Sequence, residues 1–185
     1  MEEKILKEIE AKMEKTLSSL KTDLNKVRTG RASLSLFDDI RIDYYGTSTP
    51  LNQVATLAVP EPRLITIQPW DTTITGEIEK AILKSELGLT PSSDGKIIRL
   101  PIPRLTEERR KELVKVVKKM AEAAKVALRN IRREANDQFK ALEKNKKISQ
   151  DELHQMMEKT QTATDKSIEK VDAALGIKEK EILEI

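Results

Sequence analysis

Three arginines lie close together in the chain, Arg129, Arg132 and Arg133, on either side of Asn130. The guanidinium group is planar and its N–H donors form a fixed fork that matches two oxygens of one phosphate, and it also stacks on nucleic-acid bases. In a helix, a spacing of three or four residues places side chains on the same face. The cluster therefore favours contact with a nucleic acid. The alternative, a charged face that only keeps a helix solvated, stays open.

The segment around this cluster holds the basic excess of the whole chain. Residues 106–147 contain 14 Lys and Arg against 7 Asp and Glu, whereas the net charge of the chain is only +3. On a helical wheel with Leu113 at zero, basic residues gather at about 100–200°, acidic ones at about 220–300°, and apolar ones within about 60° of zero. The basic stripe comprises Lys111, Lys115, Lys118, Lys125, Arg129, Arg132, Arg133 and Lys140, interrupted by Glu122 and extended by Asn136. No aromatic residues alternate with these cations, so we expect binding through phosphates and shape, without base stacking.

Three segments have the apolar spacing of amphipathic helices and must position this stripe. They cover residues 2–28, 106–145 and 149 onward, with Gly30 as a stop, Thr106 as an N-cap and a capping box from Ser149 to Glu152. The predicted core stripe of the second helix is Leu113, Val117, Met120, Ala124, Leu128, Ile131, Ala135 and Leu142, bordered by Phe139. That of the third is Leu153, Met157, Thr160, Thr164, Ile168, Val171 and Leu175. Three such helices predict a three-helix bundle.

The middle of the chain is of a different kind, because all seven prolines lie between Pro50 and Pro103. Its apolar pattern predicts strands near 40–44, 54–59, 64–67 and 96–100 and a helix near 75–87. We expect Trp70 to anchor the core of this part. The predicted fold class is α+β: a three-helix bundle formed by residues 1–30 and 105–185, with a small β/α/β domain, residues 31–104, inserted between its first two helices.

Two short connections join these domains. One contains Thr29, Gly30 and Arg31, and the other contains Pro101, Ile102, Pro103 and Arg104. Two chain crossings at one place behave as a hinge if they are free, and Gly30 would then be a pivot. Rigid packing of both connections is the alternative, and the sequence does not separate the two.

Composition excludes several classes of site. The chain has no cysteine and a single histidine, His154, which we expect at the surface. Disulfides, thiolate zinc sites and multi-histidine metal sites are therefore excluded, and no phosphate loop or dinucleotide motif is present. We expect Asp38, Asp39 and Asp43 to be a solvated strand edge and not a cation site. The sequence predicts a cytoplasmic protein without a membrane partner, since it has neither a signal segment nor a spanning apolar run. Because these catalytic and ligand motifs are missing, we also expect no enzymatic activity, metal or cofactor.

Several motifs, in order along the chain, resemble those of one known family. They are residues 26–33 (KVRTGRAS), 43–47 with 49–51 (DYYGT and TPL), 79–82 (EKAI), 87–89 (LGL), 105–111 (LTEERRK) and 129–135 (RNIRREA). Together they resemble the ribosome recycling factor family over essentially the whole chain.

The resemblance implies an L-shaped monomer with one bundle arm, one β/α/β arm and a flexible joint. It implies a factor that binds the ribosome after termination. With elongation factor G, which hydrolyses GTP, the factor would split the ribosome into subunits and release mRNA and deacylated tRNA. The bundle is expected to lie along large-subunit ribosomal RNA near the peptidyl transferase centre, and the small domain to help break an inter-subunit bridge. No DNA partner is implied.

The resemblance also assigns binding residues by motif. These are Arg110, Arg129 and Arg132, with Arg28, Arg31 and Arg133 as further candidates, and the basic stripe adds Lys125. Arg110 falls near about 60° on the wheel, at the edge of the apolar face, so its place is less clear from the residues alone. No functional residue is carried over to residues 150–164. The alternative function is a helical adaptor or chaperone that binds protein partners through its apolar seams.

Overall fold

The computed structural model describes residues 2–184. Four α-helices occur among these residues: α1 (Glu2–Lys26), α2 (Thr75–Lys84), α3 (Glu107–Lys144) and α4 (Gln150–Leu183). The chain divides into two compact units, Met1–Thr29 with Thr106–Ile185 and Gly30–Leu105. The first unit contains α1, α3 and α4, and the second contains α2 and the strands. The predicted α+β class, with long bundled helices and a small sheet domain, is confirmed.

In the helical unit, each of the three helices packs on the other two. The buried side of α1 is Ile9, Met13, Leu17, Leu20 and Leu24, and that of α3 is Leu113, Val117, Ala121, Ala124, Leu128, Ala135 and Phe139. Phe139 is 0% exposed, so it lies inside the core and not at its border as predicted. Three residues of the predicted stripe, Met120, Ile131 and Leu142, are only half-buried.

The core side of α4 differs from the predicted stripe. Met156 and Ser167 are buried where Met157 and Ile168 were expected, while Thr160 and Thr164 are 0% exposed as the stripe required. The prediction therefore chose Met157 instead of Met156 and Ile168 instead of Ser167, while it placed the two threonine hydroxyl groups correctly in the core. Burial of these hydroxyls is not penalised, because Thr160 Oγ1 donates to the Met156 carbonyl at 2.8 Å and Thr164 Oγ1 to the Thr160 carbonyl at 2.7 Å.

Side-chain caps begin α3 and α4 where the sequence predicted them. Thr106 Oγ1 accepts a hydrogen bond from the Arg109 N–H at 3.2 Å. At α4, Ser149 Oγ accepts from the Glu152 N–H, and Glu152 Oε2 accepts from the Ser149 N–H at 2.6 Å, which completes a capping box. These bonds to Ser149 also lower the pKa of the Glu152 carboxyl, because they favour its ionised form.

The second unit contains six short strands. They are β1 (Arg41–Tyr44), β2 (Thr47–Pro50), β3 (Ala55–Glu61), β4 (Leu64–Pro69), β5 (Ser92–Ser93) and β6 (Ile98–Pro101). All pairings are antiparallel, with β1–β2 as a hairpin and the other four in the order β3-β4-β6-β5. The hairpin turns at Tyr45 and Gly46, whose φ angles of 50° and 82° match a two-residue turn that needs positive φ at both positions. The sequence did not predict β2, because Thr47–Pro50 has no apolar alternation.

Isoleucine and leucine side chains fill the core of the sheet unit. Ile65, Ile67, Ile78, Ile82, Ile98 and Leu100 are 0% exposed. The prediction that Trp70 anchors this core is wrong, because its side chain is 66% exposed and its Nε1–H donates to Thr56 Oγ1 at 2.9 Å. The buried side chains of this unit are instead mainly isoleucine and leucine.

Among residues 2–184, none of the helices combines the length and apolar character that crossing a bilayer requires. His154 is exposed, as predicted.

Candidate nucleic-acid interface

The candidate interface is carried by α3, whose 38 residues extend for about 57 Å at 1.5 Å per residue. The long helix is stabilised by its buried stripe and by its N-cap, with Glu107 and Glu108 in the first turn and Lys144 in the last, which suits the helix dipole. Its basic stripe divides into two rows that have different surroundings. We call them the seam row, which borders α4, and the outer row.

The seam row consists of Lys118, Lys125 and Arg132, which are spaced seven residues apart. Lys118 Nζ lies 3.5 Å from Glu179 Oε1, an ion pair without hydrogen-bond geometry, since that oxygen has no hydrogen-bond partner among the described residues. Lys125 Nζ lies 2.6 Å from Asp172 Oδ1, and the Lys125 side chain is only 19% exposed. The charge of Lys125, a predicted binding residue, is therefore largely engaged within the bundle.

Arg132 ends the seam row and has a neutral partner. Its Nη1–H donates to Gln161 Oε1 at 2.8 Å, and the Gln161 amide in turn donates from Nε2 to Asp165 Oδ1 at 2.8 Å. Arg132 is half-buried, whereas Gln161 and Asp165 are exposed. The guanidinium is thus oriented without a carboxylate in direct contact.

The outer row consists of the other cations of the stripe, all exposed except the half-buried Arg129: Lys111, Lys115, Arg129, Arg133 and Lys140. Arg129 Nη1 lies 3.2 Å from Glu122 Oε1, two turns earlier on α3, and the two side chains are 42% and 59% exposed. Arg133 and Lys140 are exposed, and neither has an ion pair or hydrogen-bonded side chain within residues 2–184. Of the predicted residues, Arg129, Arg132 and Arg133 are therefore brought together, with Arg133 the most available for an external anion.

Arg110 is separate from this cluster. It precedes Arg129 by five helical turns, about 28 Å along the axis. Its side chain is half-buried, its Nη1–H points to the Leu183 carbonyl of the last α4 residue at 3.5 Å, and its Nε is buried without a partner among the described atoms. This matches its predicted position at the edge of the apolar face. The partial negative charge of the α4 C-terminus favours a cation there.

Arg28 and Arg31 lie beyond the end of α1. Both are exposed, and they fall on opposite sides of the division between the two units. Gly30, between them, has a φ of 76°, a value that glycine adopts without strain.

Backbone hydrogen bonds limit which connection residues are free to move. The Ala32 N–H donates to the Pro62 carbonyl at 2.8 Å, and the Ile102 N–H donates to the Arg63 carbonyl at 2.8 Å. Pro101 belongs to β6, opposite Leu64. Of the predicted hinge residues, Pro101 and Ile102 are therefore tied to the sheet unit.

The acidic side of α3 borders α1, where Glu134 Oε2 lies 3.8 Å from Lys12 Nζ. The residues of α4 that meet the seam row, Gln161, Asp165, Asp172 and Glu179, were missed by the sequence reasoning. A signal was available, because Asp165, Asp172 and Glu179 recur every seven residues, as do the cations opposite them. Among the described residues, no three His, Cys, Asp or Glu side chains are grouped so that they could hold a metal ion.

Comparison with known proteins assigns the family. The family model described as ribosome recycling factor matches residues 20–183. The ribosome-recycling factor of Syntrophobacter fumaroxidans is 62% identical over 174 residues, covering 94% of each chain, and that of Syntrophus aciditrophicus is 59% identical over the full length of both.

Solved structures give the same result. The solution structure of a ribosome recycling factor has a TM-score of 0.79 at 42% identity, covering 100% of this chain and 98% of the other. A second structure has a TM-score of 0.65 at 44% identity, covering 99% of each chain. It is described as the T. thermophilus ribosome recycling factor and the E. coli elongation factor G bound to the E. coli post-termination complex. The chain therefore belongs to the ribosome recycling factor family, whose members are translation factors without enzymatic activity.

Proposed function

We propose that this protein acts with elongation factor G in the cytoplasm to separate the ribosome into subunits after termination. Messenger RNA and deacylated tRNA would be released in that step. The outer row of α3 and Arg132 would lie against large-subunit ribosomal RNA, with the protein bound as a monomer. Family membership supports the reaction, and the related factor described on a post-termination complex with elongation factor G supports the partners.

The observation that carries the RNA contact is the group of three guanidinium groups on one stretch of α3, where Arg133 is exposed and Arg129 and Arg132 are half-buried. Arg133 has no compensating partner within residues 2–184, and Arg132 is held by a neutral amide. Arg129 has only an exposed ion pair, a type that contributes little stability and exchanges readily for another anion. These groups are therefore suited to bind phosphate oxygens.

The groove between α1 and α4 does not favour a protein adaptor. This groove, of about 630 Å³, is lined by charged residues of both signs. Lys170 Nζ lies 3.6 Å from Glu14 Oε2 across it. A groove bridged in this way offers no continuous apolar surface for a partner helix.

Co-sedimentation with large ribosomal subunits at two salt concentrations tests the RNA contact. Binding through phosphates should weaken steeply as salt rises, with a logarithmic slope of roughly −0.7 to −0.9 per phosphate contact. Arg132→Ala should lower affinity and reduce this slope by about one contact. Lys119→Ala, on the acidic side of the same helix, removes the same charge and should have little effect. Equal affinity for Arg132→Ala and the parent would remove Arg132 from the interface.

A subunit-splitting assay with and without elongation factor G and GTP tests the reaction. A crosslink that tethers the two units across Gly30 and Pro103 is specific to introduced cysteines, because the chain has none. We expect the tethered protein to bind ribosomes without splitting them, and to recover when the crosslink is reduced. Full splitting activity in the tethered form would show that splitting does not require motion at the joint.

A further inference from the structure

Arg132 belongs to a chain of three hydrogen-bonded groups that crosses from α3 to α4. Its Nη1–H donates to Gln161 Oε1, and Gln161 Nε2–H donates to Asp165 Oδ1, both at 2.8 Å. The direction of the amide is fixed by chemistry, because a guanidinium only donates hydrogen bonds and a carboxylate only accepts them. Asp165 lies four residues after Gln161, one helical turn away, so α4 presents the pair as a unit.

The neutral amide has a consequence that a carboxylate would not have. Lys125 and Arg129 each contact a carboxylate directly, Asp172 and Glu122, which must be displaced or screened when a phosphate approaches. The Asp165 carboxylate does not contact the Arg132 guanidinium directly, because the Gln161 amide lies between them. The amide orients the guanidinium and leaves its positive charge uncompensated at the contact, with its other N–H donors available to an anion.

We propose that Gln161 and Asp165 are positioning residues for Arg132: Asp165 orients the Gln161 amide, and the amide holds the guanidinium ready for a phosphate of ribosomal RNA. This rests on the RNA contact under the proposed function, and it assigns a role to two α4 residues outside the basic stripe of α3. An arginine side chain that is ordered before binding loses less conformational entropy when the complex forms.

A double-mutant cycle on binding to large ribosomal subunits tests this role. Gln161→Ala should weaken binding about 2- to 10-fold, because the flexible Arg132 side chain would then become ordered only when the complex forms. Because Arg132 can still reach its phosphate, the salt slope should stay that of the parent. Arg132→Ala should lower the slope by about 0.7 to 0.9. In the Arg132→Ala background, adding Gln161→Ala should change nothing.

Two further variants separate positioning from a general effect on α4. Asp165→Asn keeps an oxygen that accepts the Gln161 amide, so it should bind more tightly than Asp165→Ala. Gln155→Ala makes the same change on the α4 side that lines the groove to α1, and should bind like the parent.

The outcomes distinguish the two proposals. Two results would refute the positioning role and leave the RNA contact standing. In one, Gln161→Ala weakens binding equally in the parent and in the Arg132→Ala background. In the other, Gln161→Ala binds like the parent although Arg132→Ala binds more weakly. If Arg132→Ala itself binds like the parent, the RNA contact at Arg132 fails and the positioning role fails with it.

Discussion

Removing the carboxylate of Glu122 should tighten binding to the ribosome. Glu122 is the acidic residue within the basic stripe of α3, and its Oε1 lies 3.2 Å from Arg129 Nη1. A phosphate that binds Arg129 has to displace this carboxylate and approach its negative charge. Glu122→Gln removes the charge and keeps the size and helical preference of the side chain.

The size of the effect follows from exposure. The side chains of Arg129 and Glu122 are 42% and 59% exposed, so water and salt screen most of their attraction. Exposed ion pairs are worth about 0.2–1 kcal/mol, and losing that competitor corresponds to about 1.5- to 5-fold tighter binding. For the same reason, the free energy of unfolding should fall by no more than about 1 kcal/mol.

Affinity for large subunits, measured at several salt concentrations, is the assay. Glu134→Gln is the matched control, because it makes the same charge change on the side of α3 that faces α1, where Glu134 pairs with Lys12. We expect Glu122→Gln to bind more tightly than the parent and Glu134→Gln to match it. Equal tightening by both variants would mean that only total charge matters. No tightening by Glu122→Gln would mean that Arg129 does not meet phosphate.

Three further predictions concern stability. Phe139→Ala should lower the free energy of unfolding by about 3–5 kcal/mol in a urea titration, since the ring is fully buried, whereas Val126→Ala, 46% exposed, should change it by less than about 0.5 kcal/mol. Ser149→Ala should cost about 1 kcal/mol and lower the thermal midpoint, because it removes the capping box of α4. The pKa of Asp94 is lowered to about 2 by hydrogen bonds from the Ile97 and Lys96 N–H groups and from Arg99. This stabilisation is complete above the ordinary pKa near 3.8 and is lost as the pH falls towards 2. In acid unfolding of the sheet unit, followed by the fluorescence of Trp70, the stability of Asp94→Asn should therefore depend less on pH in this range than that of the parent.

Local sequence signals predicted the helices well. Thr106 and the Ser149 capping box act through hydrogen bonds within one turn, so their effect does not depend on the rest of the fold. The spacing of Ile9, Met13 and Leu17 requires only that one face of α1 be buried. Such features can be predicted from the sequence because each depends only on residues that are close together in the chain.

Features that depend on contacts between separate helices or strands could not be predicted in this way. The wheel treated α3 alone, so it gave Lys125 the same exposure as Arg133, whereas contact with Asp172 of α4 covers Lys125. Which residues meet depends on the axial register of the two helices, which a wheel drawn for one helix does not contain. Trp70 illustrates the same limit, because nothing in its neighbourhood in the sequence says that isoleucines will already fill the core.

The order of elements along the chain has a consequence for folding. α3 and α4 are consecutive and joined by a short turn, whereas α1 is separated from both by the whole of the second unit. Contacts between distant segments form later, because the entropy of closing a long loop must be offset first. During synthesis α1 emerges first, with Ile9, Met13, Leu17 and Leu24 exposed until α3 and α4 have been made. We therefore expect the α3–α4 hairpin to fold first and α1 to dock last, and pulse-labelled hydrogen exchange should show protection of α1 amides after those of α3.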